Sequence, residues 1–137
     1  GSHYALGRIA RKNRRLGAAL SHLEAAMKGD VSRELRPRIQ FELGRLREAG
    51  KQYPRAVVEY LKVIYLYPRE KVLVHRALLR VAGIYELQDK KVQAIDLYRK
   101  VLKGSPEPSV RRRARARLVL LKGTSEERRF QPAEKAR

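Results

Sequence analysis

The sequence predicts an all-α protein of three helix-turn-helix units followed by a capping helix, and three observations point there. The first is self-similarity. Leu6-Gly7 returns 37 residues later as Leu43-Gly44, and 38 residues after that as Val81-Ala82. Ala19, Ala56 and Ala94 keep the same step, as do Leu23, Tyr60 and Tyr98, and then Ala26-Met27, Val63-Ile64 and Val101-Leu102. A period in this range marks stacked supersecondary units. The second observation is that the apolar residues of the second and third units fall at helical spacing on both sides of one break. The third is punctuation: Pro68 and Pro106, again 38 apart, close those two units.

The elements follow in order. The first unit carries Leu6, Gly7, Ala19, Leu23 and Ala26, but has Val31 where the others have their closing proline. The second opens over 37–49 with Leu43, Gly44 and Leu46. Gly50 then supplies a helix stop and Pro54 a compatible first turn, before Ala56, Tyr60, Ile64 and Tyr67 restart the period. The third repeats this with Val81, Ala82 and Tyr85, a polar turn at 88–91, and then Ala94, Tyr98, Val101 and Leu102. Gly44 and Ala56 stand 12 apart on opposite arms of a hairpin, where small residues let two backbones approach. A last helix is expected over 108–122, ending at Gly123, with Val110, Ala114, Leu118 and Leu121 on one stripe. The repeat domain therefore spans 4–122. Residues 1–3 read as the remnant of a cleaved tag, so the natural chain is expected to extend further, and 123–137 reads as a disordered basic tail.

Composition sets the function classes. The chain has 137 residues, 33 Lys+Arg against 14 Asp+Glu, and a formal charge of +19. This is the length of one domain, and 43% hydrophobic residues can build a core that a disordered basic tail could not. No cysteine is present, which removes a disulfide framework, a thiolate zinc site and a cysteine nucleophile together. The longest apolar run, 118–121, is far short of the roughly 20 residues that span a bilayer.

No catalytic constellation assembles. With His3 in the tag, His22 and His75 remain, too far apart for a helical metal pair, and no Gly-Lys-Ser/Thr follows any glycine. Glu48, Glu59, Glu86 and Asp96 sit among cations at helical spacing, where ion pairs account for them. A non-enzymatic protein without cofactor or metal is expected. Tyr60, Tyr85 and Tyr98 take core positions of the repeat, whereas Tyr65 is free to be exposed.

At these residues the chain resembles the tetratricopeptide repeat family, whose unit runs to about 34 residues. Leu43, Gly44, Tyr53, Ala56, Tyr60 and Pro68 meet the family pattern in the second unit; Ala82, Tyr85, Ala94, Tyr98 and Pro106 meet it in the third. Departures are the longer periods, Gln40 where the family often has a large aromatic, and Arg47 where it has tyrosine. The resemblance implies a right-handed α-solenoid that binds other proteins. A narrower likeness, carried by the run 60–68 and by Ser105-Pro106-Glu107-Pro108 leading into 114–118, is to bacterial cell-envelope repeat proteins of the Tol–Pal-associated and outer-membrane-assembly lipoprotein types. It implies an adaptor in the periplasm or cell envelope.

The resemblance also implies where a ligand sits, on the stripe of each unit's first helix turned away from its partner. Stepping 100° per residue puts Arg38, Phe41, Arg45 and Glu48 there in the second unit, Arg76, Leu79, Gly83 and Glu86 in the third, and Tyr4, Arg8 and Arg11 in the first. Arginine forks over an apolar floor of Tyr4, Phe41 and Leu79 suit an acidic, partly apolar peptide or helix of another protein. The run Arg111, Arg112, Arg113, Arg115 and Arg117 is a second basic patch, read either as a solvated capping face or as a binding site. Binding of nucleic acid or an anionic membrane through the summed charge is the competing expectation. A third is that the fragment is an internal scaffold of a larger machine.

Overall fold

The computed structural model describes the backbone over residues 2–135, and the side chains of Arg8 and of residues 10–123. Six helices follow one another: α1 (Ser2–Lys28), α2 (Arg36–Ala49), α3 (Tyr53–Leu66), α4 (Lys71–Leu87), α5 (Lys91–Gly104) and α6 (Pro108–Lys135). Among the described residues there is no strand, so the protein is all-α. The chain divides into two compact units, 1–68 and 69–137. The tail expected over 123–137 lies outside the residues whose side chains are described. The backbone of α6 runs through Gly123, where the sequence predicts a stop; one glycine costs a helix only about 1 kcal/mol against alanine, and no proline intervenes before 132.

In the first unit α2 and α3 form a hairpin whose turn closes in two bonds. The amide of Lys51 donates to the Glu48 carbonyl at 2.9 Å, and that of Gln52 to the Arg47 carbonyl at 2.9 Å. This pairing demands a left-handed residue after the helix. Gly50, expected to supply the stop, keeps an ordinary φ of −83°, and Lys51 takes the left-handed conformation at φ 59°. Pro54 lies in the first turn of α3, as its locked φ favours.

The core of this unit is built on Tyr60 and Val63, both fully buried, with Phe41, Leu43 and Leu20 around them. The Tyr60 and Phe41 rings lie 5.5 Å apart. Gly44 makes that packing possible: a Cβ there would sit 2.6 Å from two carbons of the Tyr60 ring. Gln40, which stands in place of an aromatic, is buried and donates to the Glu59 carbonyl at 3.0 Å and to its carboxylate at 2.8 Å. The buried amide is therefore satisfied.

The N-terminal element differs from expectation. Instead of a hairpin, α1 is a single helix of 27 residues. Arg14, which stands 37 residues before the left-handed Lys51, remains helical, and Gly17 stands where Pro54 starts α3. Without a proline ring to block the i−4 bond, and with long Arg, Lys and Leu side chains around the position, nothing forces a break. The C-terminal end of α1 is fastened to α2 by Arg36, which donates to the Met27 carbonyl at 3.1 Å, and by Arg47, which meets Glu24 at 3.1 Å.

The second unit repeats the hairpin with α4 and α5. Asp89, 38 residues after Lys51, takes the same φ of 59°, and the amides of Asp89 and Lys90 donate to the carbonyls of Glu86 and Tyr85 at 3.0 and 2.8 Å. Ala77, Val81, Ala82, Ile84, Ala94, Tyr98 and Val101 form its centre. Gly104 admits His75: a Cβ there would lie 2.5 Å from the ring Nε2, while Nδ1 bonds the Lys71 carbonyl at 2.8 Å. A packing role thus accounts for this histidine. The stripe Val110, Ala114, Leu118 and Leu121 of α6 is buried, as its spacing predicts.

Candidate functional site: the outward stripe of the first helix in each hairpin

Four side chains at i, i+3, i+7 and i+10 share one face of a helix. On α4 these are Arg76, Leu79, Gly83 and Glu86, and α6 lies against them. Arg76 grips Glu107, the residue just before α6, with both arms of its fork: Nε donates to Oε1 at 2.7 Å and Nη2 to Oε2 at 2.6 Å. One end of the stripe is thereby tied to the start of α6. At the other end Arg117 forks onto Glu86, with Nε at 3.1 Å from Oε2 and Nη2 on Oε1. Arg76 to Glu86 and Glu107 to Arg117 are each ten residues, about 15 Å of helix, so α6 runs parallel to α4 with an ion pair at each end.

Electrostatics follows from these contacts. Partial burial pushes the Glu86 carboxyl up, but hydrogen bonds from Arg117 and from the Tyr98 hydroxyl outweigh it and hold the carboxyl below its ordinary value. The hydrogen bond from Arg76 holds Glu107 low in the same way. Both guanidinium groups are raised by the carboxylates they donate to. Tyr98 is pushed up by burial and by donating to Glu86. Ser105 completes the joint, its Oγ accepting from the Glu107 amide at 3.2 Å and its carbonyl from Arg111 at 2.7 Å.

On α2 the same stripe reads Arg38, Phe41, Arg45 and Glu48. Arg38 is exposed. Arg45 is exposed too, and its carboxylate partner at 3.0 Å is Glu42 on the same helix face, a kind of pair that contributes little. Glu48 accepts from the Tyr60 hydroxyl at 2.7 Å, as Glu86 does from Tyr98.

Two expectations need correction. Phe41 and Leu79, read as an apolar groove floor, are each only 8% exposed. Phe41 turns toward its own hairpin and packs on Tyr60, because a large ring at the edge of the stripe gains more by burial than by facing water. Of the residues read onto the first unit's stripe, Arg8 and Arg11 are exposed on α1, and Tyr4 lies outside the described side chains.

The second basic patch is divided. Arg111 and Arg117 are spent on holding α6, while Arg112, Arg113 and Arg115 are exposed. Tyr65 is 75% exposed, as its place in the repeat allows. Among the described residues no three histidine, aspartate or glutamate side chains stand where they could hold a metal ion, and no helix is long and apolar enough to cross a membrane. The tyrosine-to-glutamate bonds and the cover that α6 places on α4 were missed by periodicity. Two matching ten-residue spacings of opposite charge, 76 to 86 and 107 to 117, are the signal that would have found the second.

Two segments match family profiles described as tetratricopeptide repeat, residues 4–71 and residues 76–107. Together they cover most of the chain. No curated protein matches it.

Proposed function

We propose that this chain, which belongs to the tetratricopeptide repeat family, is a non-enzymatic scaffold that holds an acidic, partly apolar peptide or helix of another protein. Repeats of this family generally mediate protein–protein interaction. The observation that carries the acidic partner is the outward stripe of α2, where Arg38 and Arg45 project from a rigid hairpin built on the Phe41 and Tyr60 rings. Guanidinium forks recognise carboxylates in a fixed plane, and a firmly packed support keeps that plane from being lost to side-chain entropy. The general excess of cations, +19 over the sequence, attracts acidic partners before contact. A bacterial envelope complex is the setting suggested by the run 60–68, and fractionation of cells producing the tagged protein checks it.

Affinity capture followed by calorimetry of the recovered partner tests the reading. Arg8→Glu with Arg45→Glu is expected to abolish binding and leave helicity unchanged; unaltered affinity would contradict the acidic-partner reading. Salt separates the rival. Neutralising about 6–10 phosphates of a nucleic acid makes affinity fall by roughly a thousandfold or more between 50 and 200 mM salt. A short acidic peptide meets fewer charges and is expected to lose much less.

A further inference from the structure

The second unit contains a helix already seated on the stripe, and the first unit carries the same stripe with its leading arginine exposed. That pair of facts specifies what the stripe accepts. Arg76 takes a carboxylate placed just before a helix begins, and Glu86 takes a guanidinium ten residues later. Arg38 and Glu48 stand in the same order and at the same ten-residue spacing on α2, each 38 residues before its counterpart. Glu48 already accepts from Tyr60, which does not compete, since Glu86 accepts from Tyr98 and from Arg117 at once. The repeat itself offers no second helix of this kind: the residues 38 before Glu107 and Arg117 are Arg69 and Leu79, one of the wrong sign and one neutral.

We infer that α2 receives a helix of the partner protein in the way α4 receives α6: parallel, with an acidic residue immediately before the helix on Arg38 and a basic residue ten positions later on Glu48. The inference rests on the acidic-partner reading and sharpens it. One position differs between the two stripes and adds a further requirement. Gly83 stands, in the register set by the two ion pairs, opposite the fully buried Ala114, whereas α2 has Arg45 at that place. The partner helix therefore carries a second carboxylate where α6 has Ala114, which Arg45 meets in exchange for its weak surface pair with Glu42. Its signature is acid, then acid seven residues on, then base three residues after that.

A charge exchange on the full chain tests this. The probe is a fluorescent peptide of residues 105–123 with Ala114→Glu, and with Arg112→Glu, Arg113→Glu and Arg115→Glu to remove the outward arginines. Its anisotropy is followed at one fixed salt concentration. Binding is expected, weakened about tenfold or more by Arg38→Glu in the protein or by Glu107→Lys in the peptide, and largely recovered when the two changes are combined. The recovery also certifies that the Arg38→Glu chain is folded.

Three results would overturn the inference: no binding, two losses with no recovery, or an affinity that follows Arg76→Glu and not Arg38→Glu, which would mean the probe had displaced α6 from α4. Each leaves the acidic-partner reading to its own capture experiment. Failure of that capture with a recovered charge exchange would sink the broader reading alone.

Discussion

The two hairpins are copies of one design at different degrees of completion. Both reverse through a left-handed residue, Lys51 or Asp89, and both bury a tyrosine that donates to a glutamate twelve residues earlier. They differ in what lies over the first helix. The second unit has α6, which brings Val110, Leu118 and Leu121 into the core and pairs with Arg76 and Glu86. The first unit has α1 fastened through Arg36 and Arg47, and leaves Arg38 and Arg45 exposed. The comparison teaches that the same stripe is a packing surface when a complementary helix follows and a charged display when none does.

The largest expected effect breaks the covered half. Leu118→Ala deletes a buried anchor of α6 and is expected to cost the second unit about 2–5 kcal/mol in urea unfolding. Hydrogen exchange in α2 and α3 should stay as it was. A uniform loss of protection across both units would mean that they do not unfold separately.

Next comes the tight contact of the uncovered half. Gly44→Ala drives a methyl into the Tyr60 ring and is expected to destabilise the first unit by about 1–3 kcal/mol, despite the better helix propensity of alanine. The second unit already has Ala82 at the equivalent place, fully buried, and Ala82→Gly should cost about 1 kcal/mol there. Equal and favourable effects of alanine at both sites would contradict the packing described for Tyr60.

Acid separates the halves by charge. Glu86 and Glu107 have their carboxyl values lowered in the folded protein, so their contribution is fully present above the ordinary carboxylate range, near pH 4.3, and is lost as pH falls through the lower folded values. Methyl NMR at Leu118 and Leu121 should report loosening of α6 below about pH 4. Glu86→Gln should show part of that loosening already at pH 7.

How far this was legible in the sequence depends on the kind of contact. Repetition at 37 and 38 residues located both hairpins, the closing prolines and the buried stripe of α6, because periodic apolar residues encode which face is buried. The continuity of α1 was not legible. A repeat match at Ala19 and Leu23 records packing positions and says nothing about whether the chain turns between them. The face of Phe41 and Leu79 was misjudged because, at the edge of a stripe, a rotation of some tens of degrees decides between groove and core. The left-handed Lys51 was hidden behind Gly50, since glycine is the usual occupant of that conformation. Lys51→Gly is accordingly the smallest predicted effect, a gain of roughly 1 kcal/mol in the first unit, read from the same urea curves.

The display of α2 against the cover on α4 is tested most directly by arginine side-chain NMR of the full chain during addition of the acidic α6-derived peptide. The Nε–Hε resonances of Arg38 and Arg45 should shift in a saturable way while that of Arg76, held by Glu107, stays in place. Movement of Arg76 with Arg38 unmoved would contradict the account.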